Sequence, residues 1–296
     1  MSTVVGFCYN KAMPKTITFI NMKGGVGKTT LAVNVAYGLA YYHAQNILLI
    51  DIDPQFNAST YLMNEIDYLD HVKNKKTILD IFRSNATPIS LANPVRKKAT
   101  SSKISLSSCV HSVHSNPGNL DLIPAQLNLM ELQMSERGTE NRLSRFIERT
   151  CGGYDFVIVD CPPTISFFTQ AAILASDAYV VPLRPDPLAS IGLPLLEKWL
   201  EDYTCDSAHE LKNLGIILSY IRGPLPNAMR EVIDTIRHER GEEVFRSQIS
   251  ERTGIASSVE SHLPVFLHEQ ASSSAKQMLA LINEFKERLD GVFNES

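Results

Sequence analysis

The chain has 296 residues, 44% of them hydrophobic and 20% charged, with a formal net charge of −4 and an isoelectric point near 6.1. This size permits a full hydrophobic core, and the charge balance excludes nucleic-acid binding through an overall basic field. The five cysteines are scattered without a C-x-x-C pair, which argues against a zinc, redox or iron–sulfur site and favours reduced thiols.

In chain order, short apolar runs alternate with helical patterns. Buried parallel strands are predicted at 16–21, 47–50, 156–159, 178–183 and 214–220. Helices are predicted at 29–42, 122–149, 165–176, 190–204, 226–240 and 276–293. This order indicates an α/β fold, a doubly wound and mostly parallel sheet flanked by helices, in a single domain over residues 1–296.

One segment interrupts the alternation. Residues 70–117 are rich in serine, asparagine, lysine and threonine, and they include Pro88, Pro94 and Pro117. Such a composition is typical of irregular surface structure. We therefore predict that this segment is a partly mobile surface insertion within the domain.

The last helical pattern, 276–293, bears on membrane association. Its apolar residues are spaced by three and four positions, and its charges are mixed rather than cationic. This pattern favours packing on the sheet over a membrane anchor. Because the sequence also has no uninterrupted apolar run near the roughly 18 residues of a membrane span, we expect a cytoplasmic protein without a membrane partner.

A phosphate-binding loop is predicted between the first strand and the first helix, where residues 22–30 read Met-Lys-Gly-Gly-Val-Gly-Lys-Thr-Thr. Bare glycine backbone lets N–H groups converge on phosphate oxygens, and the helix N-terminus adds its positive dipole end. Lys28 is expected to neutralise the β- and γ-phosphates, and the Thr29 hydroxyl to bind Mg²⁺. The predicted nucleotide contacts are Lys23, Gly24, Gly25, Val26, Gly27, Lys28, Thr29 and Thr30.

The loop departs from the common phosphate-loop pattern, G-x-x-x-x-G-K-[ST], because Lys23 occupies the position of the first glycine. Lys-Gly-Gly-Val-Gly-Lys-Thr-Thr resembles the deviant Walker A motif of the ParA, MinD and nitrogenase-iron-protein superfamily. In that superfamily the extra lysine reaches across a dimer interface to the partner's nucleotide. The resemblance implies that Lys23 couples ATP binding to formation of a homodimer.

Two acidic segments extend the resemblance to the ParA family. Residues 51–59 are similar to its D-x-D-P-Q-G-N segment, and Asp160-Cys161-Pro162-Pro163 is similar to its Walker B element. The resemblance implies that Asp53 orients and activates the attacking water, that Asp160 holds Mg²⁺ through its water shell, and that Asp51 supports the same metal network. These roles suit phosphoryl transfer, which depends on positioning and charge neutralisation.

Other positions follow from the same resemblance. Asn57 lies in the first switch segment, and Ser250 and Arg252 lie in a stretch that closes over the base and ribose in ParA proteins. The chain departs from the family at Phe56, where the switch segment usually has glycine, and at Ser250, where many relatives have proline.

ParA proteins usually bind DNA without sequence preference through basic residues of the C-terminal half. The candidates are Arg222, Arg230, Arg237, Arg240, Arg246 and Arg252. Acidic residues are interspersed among them, so a solvated mixed-charge surface is an equal alternative. A second basic set, in the predicted insertion, contains Lys73, Lys75, Lys76, Arg83, Arg96, Lys97, Lys98 and Lys103. It is consistent with phosphate contacts or with a loop that only solvates the protein.

The function implied is that of an ATP hydrolase, slow and partner-stimulated, that uses ATP and Mg²⁺ and dimerises with ATP. It is expected to bind DNA non-specifically, to associate with the nucleoid in the ATP state, and to segregate or position a plasmid or chromosome locus with a ParB-like or other adaptor. Alternatives are the positioning of a protein cargo, such as a microcompartment or receptor array, and a nucleotide-gated scaffold with negligible hydrolysis. A MinD-like membrane switch and an electron-transfer ATPase are disfavoured, because a basic amphipathic tail and paired cysteines are missing from the sequence.

Overall fold

A seven-stranded sheet is the centre of the part of the chain that the computed structural model describes, residues 13–83, 105–134, 138–219, 221, 226–250 and 253–294. The strands are β1 Lys15–Phe19, β2 Ile47–Asp51, β3 His111–His114, β4 Leu120–Ile123, β5 Phe156–Asp160, β6 Ala178–Leu183 and β7 Lys212–Leu218. Their order is β3-β4-β2-β5-β1-β6-β7. All neighbouring strands are parallel except β3 and β4, which pair antiparallel at one edge.

Helices follow most of the strands. They are α1 Lys28–His43, α2 Asn57–Leu62, α3 Glu65–Lys73, α4 Ile78–Arg83, α5 Leu106–Cys109, α6 Arg142–Thr150, α7 Phe167–Leu174, α8 Ala189–Ser207, α9 Asn227–Arg240, α10 Thr253–Glu260, α11 Val265–His268 and α12 Ser273–Asn294. Short 3₁₀ helices occupy Leu127–Met134 and Gly241–Glu243. The predicted doubly wound, mostly parallel α/β fold is confirmed.

The core has two sides because successive strand residues point to opposite faces of the sheet. Leu49 and Ile158 pack in a cluster with residues of α1 and α12. Their neighbours Leu48 and Val157 pack on the other face, with α4, α6 and α7. A third cluster on β6 and β7 is covered by α8 and α9. The sheet is thus buried between two layers of helices, as is usual for a mostly parallel sheet.

The last helix belongs to the core. Phe285 of α12 is fully buried and stacks on Phe19 and Phe245, with ring centroids 5.7 Å and 6.0 Å apart. At Gly38 in α1, an added Cβ would lie 2.3 Å from Cδ1 of Ile282 in α12, so the two helices pack too closely for a side chain. The prediction that α12 packs on the sheet is confirmed. Within the described residues, no helix combines the length and apolar character needed to cross a bilayer.

The helix predicted at 122–149 is wrong. Residues 120–123 form strand β4, which pairs with β2 on one side and β3 on the other. A 3₁₀ helix and a break follow, and α6 begins only at Arg142. The apolar residues Leu122 and Ile123 are compatible with the spacing of a helix and with that of a strand. In so short a run, pairing with neighbouring strands determines which of the two forms.

The predicted insertion, 70–117, has ends that belong to the fold. Ile78 and Phe82 of α4 are fully buried, and the edge strand β3 lies near the other end. Residues 84–104, which contain Arg96, Lys97, Lys98 and Lys103, lie outside the described residues. For that part, the insertion stays a prediction.

Candidate functional site

The glycine loop lies at the carboxyl end of β1 and leads directly into α1. Gly25 and Gly27 have φ angles of 71° and 85°, a backbone conformation that side chains disfavour. The N–H of Leu31 donates to the Gly27 carbonyl at 2.9 Å and so begins the helix. The loop is therefore held against the N-terminus of a 16-residue helix, an arrangement that favours a bound anion.

Hydrogen bonds tie the loop to the neighbouring strands. The Asn21 side chain donates to the Pro182 carbonyl of β6 at 2.7 Å and accepts from the Lys23 N–H at 2.9 Å. The Ser219 hydroxyl, just after β7, donates to the Val26 carbonyl at 2.6 Å. Both ends of the loop are thereby positioned by strands far along the chain.

Lys28 is the buried cation of the site. Its side chain is 6% exposed, and its Nζ donates to the Lys23 carbonyl at 3.0 Å. Burial lowers the pKa of Lys28, and the carboxylates of Asp160 and Asp53 oppose that shift. A buried ammonium beside the loop amides is well placed to neutralise phosphate oxygens.

Lys23 lies in a different environment. Its Nζ forms an ion pair with Oδ2 of Asp186, and the lysine side chain remains 42% exposed. The other carboxylate oxygen of Asp186 accepts from the Leu188 N–H at 3.1 Å. Within one chain the Lys23 ammonium is therefore held by Asp186, whereas the Lys28 ammonium is buried at the loop.

Three carboxylates gather where β2 and β5 end. Asp51 and Asp160 are paired in register on these adjacent strands, and Asp53 follows two residues after Asp51. Asp51 is satisfied, because its Oδ2 accepts from the Ser59 N–H and hydroxyl at 2.8 Å and 2.7 Å and its Oδ1 accepts from the Asp53 N–H at 3.1 Å. Burial raises the pKa of Asp51.

The burial of Asp160 is compensated less well than that of Asp51. It is fully buried, and neither of its carboxylate oxygens has a hydrogen-bond partner among the described residues. Burial, followed by the nearby Asp51, raises the pKa of Asp160 well above its usual range, and the neighbouring Thr29 and Lys28 oppose this shift. A buried carboxylate without partners calls for a cation or a proton.

These residues fit Mg²⁺. Within the described residues, no three His, Cys, Asp or Glu side chains converge as a metal site by themselves. Mg²⁺ does not need such a cluster, because it is commonly held by one or two carboxylates together with a hydroxyl, water and substrate phosphates. Asp160 and Asp51, with the hydroxyl of Thr29, would supply the protein's share of that set.

Asp53 is held in a tight turn. Its Oδ1 accepts from the Gln55 N–H at 2.9 Å, and its carbonyl accepts from the Phe56 N–H at 2.8 Å. The residue is 5% exposed, and burial raises the pKa of Asp53 while Lys28 opposes the shift. Asn57, exposed, begins α2 directly after this turn.

The predicted base-proximal residues are only partly described. Ser250 bridges to Ile221, and its N–H donates to Oε1 of Gln277 at 3.0 Å. Ile221 comes two residues after Ser219, whose hydroxyl contacts the phosphate loop. Ser250 therefore lies at the same carboxyl end of the sheet as the loop. Arg252 lies outside the described residues.

One buried polar group near the site escaped the prediction. Asn34 of α1 is fully buried, and its side chain donates to the Thr30 carbonyl at 2.8 Å and to the Tyr61 hydroxyl at 3.1 Å. The Tyr61 hydroxyl lies 2.6 Å from that of Ser258, and Asn34 Oδ1 accepts from the Val265 N–H at 2.8 Å. An asparagine within the apolar run of α1 is the signal that could have found it.

The fold and the site together define a class of protein: an α/β nucleotide-binding protein with a phosphate loop. The model of the AAA domain family matches residues 14–212. The chain is 31% identical over 209 residues to the virulence plasmid ParA family protein pGP5-D of Chlamydia trachomatis, covering 69% of each chain. It is 29% identical to the sporulation initiation inhibitor protein Soj of Bacillus subtilis, over 92% of this chain and 98% of Soj.

A solved structure shows the same fold. The plasmid partition protein from Borrelia burgdorferi bound to AMPPNP superposes with a TM-score of 0.73 at 21% identity, over 93% of this chain and 99% of that one. The chain belongs to the ParA family of partition ATPases. The resemblance inferred from the deviant phosphate loop is thus confirmed.

Proposed function

We propose that the protein is an ATP-dependent dimerising switch that binds DNA non-specifically and segregates or positions a plasmid or chromosome locus with a ParB-like adaptor. Membership of the ParA family supports a positioning ATPase. The observation that carries the proposal is the fully buried, unpartnered Asp160 carboxylate beside Thr29 and Lys28, next to the phosphate loop. Such a carboxylate is explained by a cation that arrives with a triphosphate.

ATP hydrolysis needs few protein groups, and we assign a residue of the site to each of them. The loop amides from Gly24 to Thr30 and the Lys28 ammonium would bind the triphosphate and neutralise its charge. Thr29, Asp160 and Asp51 would hold Mg²⁺, which supplies charge neutralisation at the phosphates when bound. Asp53 would accept a hydrogen bond from the attacking water and so orient it. Burial raises the pKa of Asp53, and a higher pKa makes its carboxylate a stronger acceptor for a proton from that water.

The dimer contact is assigned to Lys23. In the proposed switch, its ammonium leaves Asp186 and binds the nucleotide of the partner subunit. A side chain that is 42% exposed on the rim of the loop has the freedom for this movement. Closure of two subunits around two nucleotides then makes ATP binding and dimerisation a single event.

Among the candidate arginines, DNA contacts are assigned to Arg230, which is exposed and has no ion-pair partner within the described part of the chain. Arg230 is exposed on α9, whereas Arg240 pairs with Glu197 at 2.6 Å and Arg246 pairs with Glu287 at 2.8 Å. Arg222 lies outside the described residues, as does Arg252, and Arg237 is half-buried. Of the second basic set, Lys73 and Lys75 are exposed on or just after α3, Lys76 is half-buried and Arg83 pairs with Glu131.

The proposal is tested by separating ATP binding, dimerisation and turnover. Asp53→Ala is expected to bind ATP and dimerise normally while its phosphate release falls about 100-fold, the typical contribution of a positioned acid or base. Lys23→Ala is expected to bind ATP but to stay monomeric in light scattering. The matched control is Lys15→Ala, a lysine in an ion pair with Asp177 at the opposite end of β1.

Unchanged turnover in Asp53→Ala would contradict the assigned role of Asp53. A wild-type protein that binds no ATP, or binds it and stays monomeric, would contradict the whole proposal. Phosphate release with and without DNA distinguishes a cycling ATPase from a nucleotide-gated scaffold.

A further inference from the structure

Phe56 and Tyr68 stack on each other beside the end of β2. Their ring centroids are 5.3 Å apart and their planes differ by 18°. Phe56 packs against the core cluster of α4, α6 and α7, whereas Tyr68 packs against the cluster of α1 and α12. The stacked pair thus joins the two helical layers across the edge of the sheet where the carboxylates lie.

The backbone of Phe56 is in a conformation that its side chain disfavours. Its φ and ψ are 46° and 36°, in the left-handed region, at the position immediately before α2. Glycine adopts this conformation without a steric penalty, whereas a bulky residue does so only when its surroundings hold it. The contact with Tyr68 is the interaction that can hold it here, because aromatic pairs in this geometry attract one another.

Phe56 is joined directly to Asp53. The Phe56 N–H donates to the Asp53 carbonyl at 2.8 Å and closes the four-residue turn, while the Gln55 N–H holds the Asp53 side chain. On its other side, the Phe56 carbonyl accepts from the Thr60 N–H at 3.0 Å and begins α2. The backbone of Phe56 therefore belongs both to the turn that carries the Asp53 carboxylate and to the start of α2.

Tyr68 lies near Asp51, the neighbour of Asp53 at the end of β2. Burial raises the pKa of Tyr68 to about 12, and the nearby charge of Asp51 adds to the shift. The ring is half-buried and its helix, α3, starts with its own cap, in which Asn64 accepts from the Asp67 N–H at 2.9 Å. Tyr68 therefore lies on a capped helix, which fixes the position of its backbone.

We infer that the Phe56–Tyr68 stack is a positioning pair for hydrolysis, which holds the Asp53–Phe56 turn and with it the carboxylate that orients the attacking water. This inference rests on the proposed function of Asp53. Because the phosphate contacts come from the loop before α1 and not from this turn, the stack governs turnover and leaves the affinity for ATP nearly unchanged. The pair is assigned no contact with the reacting atoms and acts only through the turn.

The kinetic test removes each ring in turn. Phe56→Gly relieves the backbone strain and deletes one ring, and Tyr68→Leu deletes the other ring while keeping an apolar side chain. Each is expected to lower kcat at least about 10-fold, because a displacement of about 1 Å in a catalytic group is enough for such a loss. The dissociation constant for ATP is expected to change less than about twofold. Tyr68→Phe keeps the stack and is expected to retain turnover within about twofold.

A second aromatic stack provides the matched control. Trp199 and Tyr203 on α8 lie with centroids 5.6 Å apart and planes 17° apart, nearly the geometry of the Phe56–Tyr68 pair. Tyr203→Leu is expected to leave kcat unchanged. A loss of turnover in Tyr203→Leu equal to that in Tyr68→Leu would show that stack removal acts through general stability, and it would overturn the inference.

Hydrogen exchange tests the positioning without relying on hydrolysis. In Phe56→Gly and Tyr68→Leu, the amides of Ser59 and Thr60 are expected to exchange at least about 10-fold faster, while the Leu31 amide in α1 keeps its protection. Unchanged exchange at Ser59 and Thr60 would overturn the inference, even in a protein that hydrolyses no ATP. Faster exchange with unchanged kcat would also overturn it. A wild type that binds no ATP would contradict the proposed function and with it the role of the stack in hydrolysis, whereas faster exchange at Ser59 and Thr60 would still show that the stack holds the turn.

Discussion

Two anionic groups compete for the Lys23 ammonium: the Asp186 carboxylate and, in the proposed dimer, a phosphate of the nucleotide. The Lys23 ammonium forms an ion pair with Asp186 within one chain, so in the proposed switch the nucleotide of a partner subunit would have to displace this carboxylate. Partly exposed ion pairs contribute only about 0.2–1 kcal/mol. A triphosphate with several negative charges would therefore be able to displace Asp186, and Asp186 would then influence the ATP concentration needed for dimerisation.

The competition predicts the effect of Asp186→Asn. Asparagine keeps an oxygen for the Leu188 N–H but removes the charge that holds Lys23. Half-maximal dimerisation is expected at about 1.4- to 5-fold less ATP, the equivalent of the ion pair's energy, as measured by light scattering over an ATP titration. Asp177→Asn, which removes the partner of Lys15, is the control and should have no effect. A requirement for more ATP in Asp186→Asn would mean that Asp186 supports the dimer.

Between elements, the main connection near the site is the hydrogen-bonded junction of α1, α2, α10 and α11. Asn34 contributes both its amide and its carbonyl oxygen, and the hydroxyls of Tyr61 and Ser258 complete the junction. The helix after the phosphate loop is thereby joined to the helix after Asp53 and to the C-terminal segment. Buried polar networks of this kind restrict the relative movement of the elements they connect.

Tyr61→Phe tests this junction. The substitution leaves the ring in place but removes the hydroxyl between Asn34 and Ser258, so their buried polar groups lose a partner. The free energy of unfolding is expected to fall by about 1–3 kcal/mol in urea denaturation. Tyr42→Phe is the control, because Tyr42 is 42% exposed and surface changes stay within about 0.5 kcal/mol. A change in Tyr61→Phe no larger than in the control would show that the junction adds no stability.

For the whole molecule, the three clustered carboxylates link stability to pH. Their pKa values are raised by burial, so the folded protein holds more protons than the unfolded chain between about pH 4 and the raised values. Stability contributed by these groups is therefore present at low pH and is lost as pH rises through that window. A cation bound to Asp160 removes the cost of ionising it and restores stability at higher pH.

This linkage predicts a larger thermal shift on adding Mg²⁺ and ATP at about pH 8 than at about pH 6. Differential scanning fluorimetry of the wild type and Asp160→Asn measures it. The variant has no charge to neutralise at this position, so its shifts at the two pH values should differ less, and titration of ATP itself affects both proteins equally. A pH dependence identical in the two proteins would contradict the assignment of Asp160.

Local patterns were enough to predict the main strands and the residues at their ends. The strand at 178–183 coincides with β6, and the phosphate loop, Asp51 and Asp160 all follow predicted strands. In contrast, β3 and β4 have four residues each and depend on pairing with β2. Propensity is weak in such short strands, because tertiary pairing decides their conformation.

The unpredicted parts of the site depend on long-range contacts. Lys23 and Asp186 are 163 positions apart in the chain, and Tyr61 and Ser258 are 197 apart. No local spacing indicates such a pair in a single sequence. The stack of Phe56 on Tyr68 is closer in the chain, but the left-handed backbone that allows it is unfavourable for phenylalanine.

The packing of α12 against α1 has a consequence for synthesis. The residues of the phosphate loop and of α1 leave the ribosome early, yet the apolar face of α1 around Gly38 is covered by Ile282 and its neighbours, which are translated some 240 residues later. In a nascent chain that does not yet contain α12, the apolar face of α1 is uncovered. The apolar face of the helix that follows the phosphate loop is therefore covered only after the last helix has been synthesised.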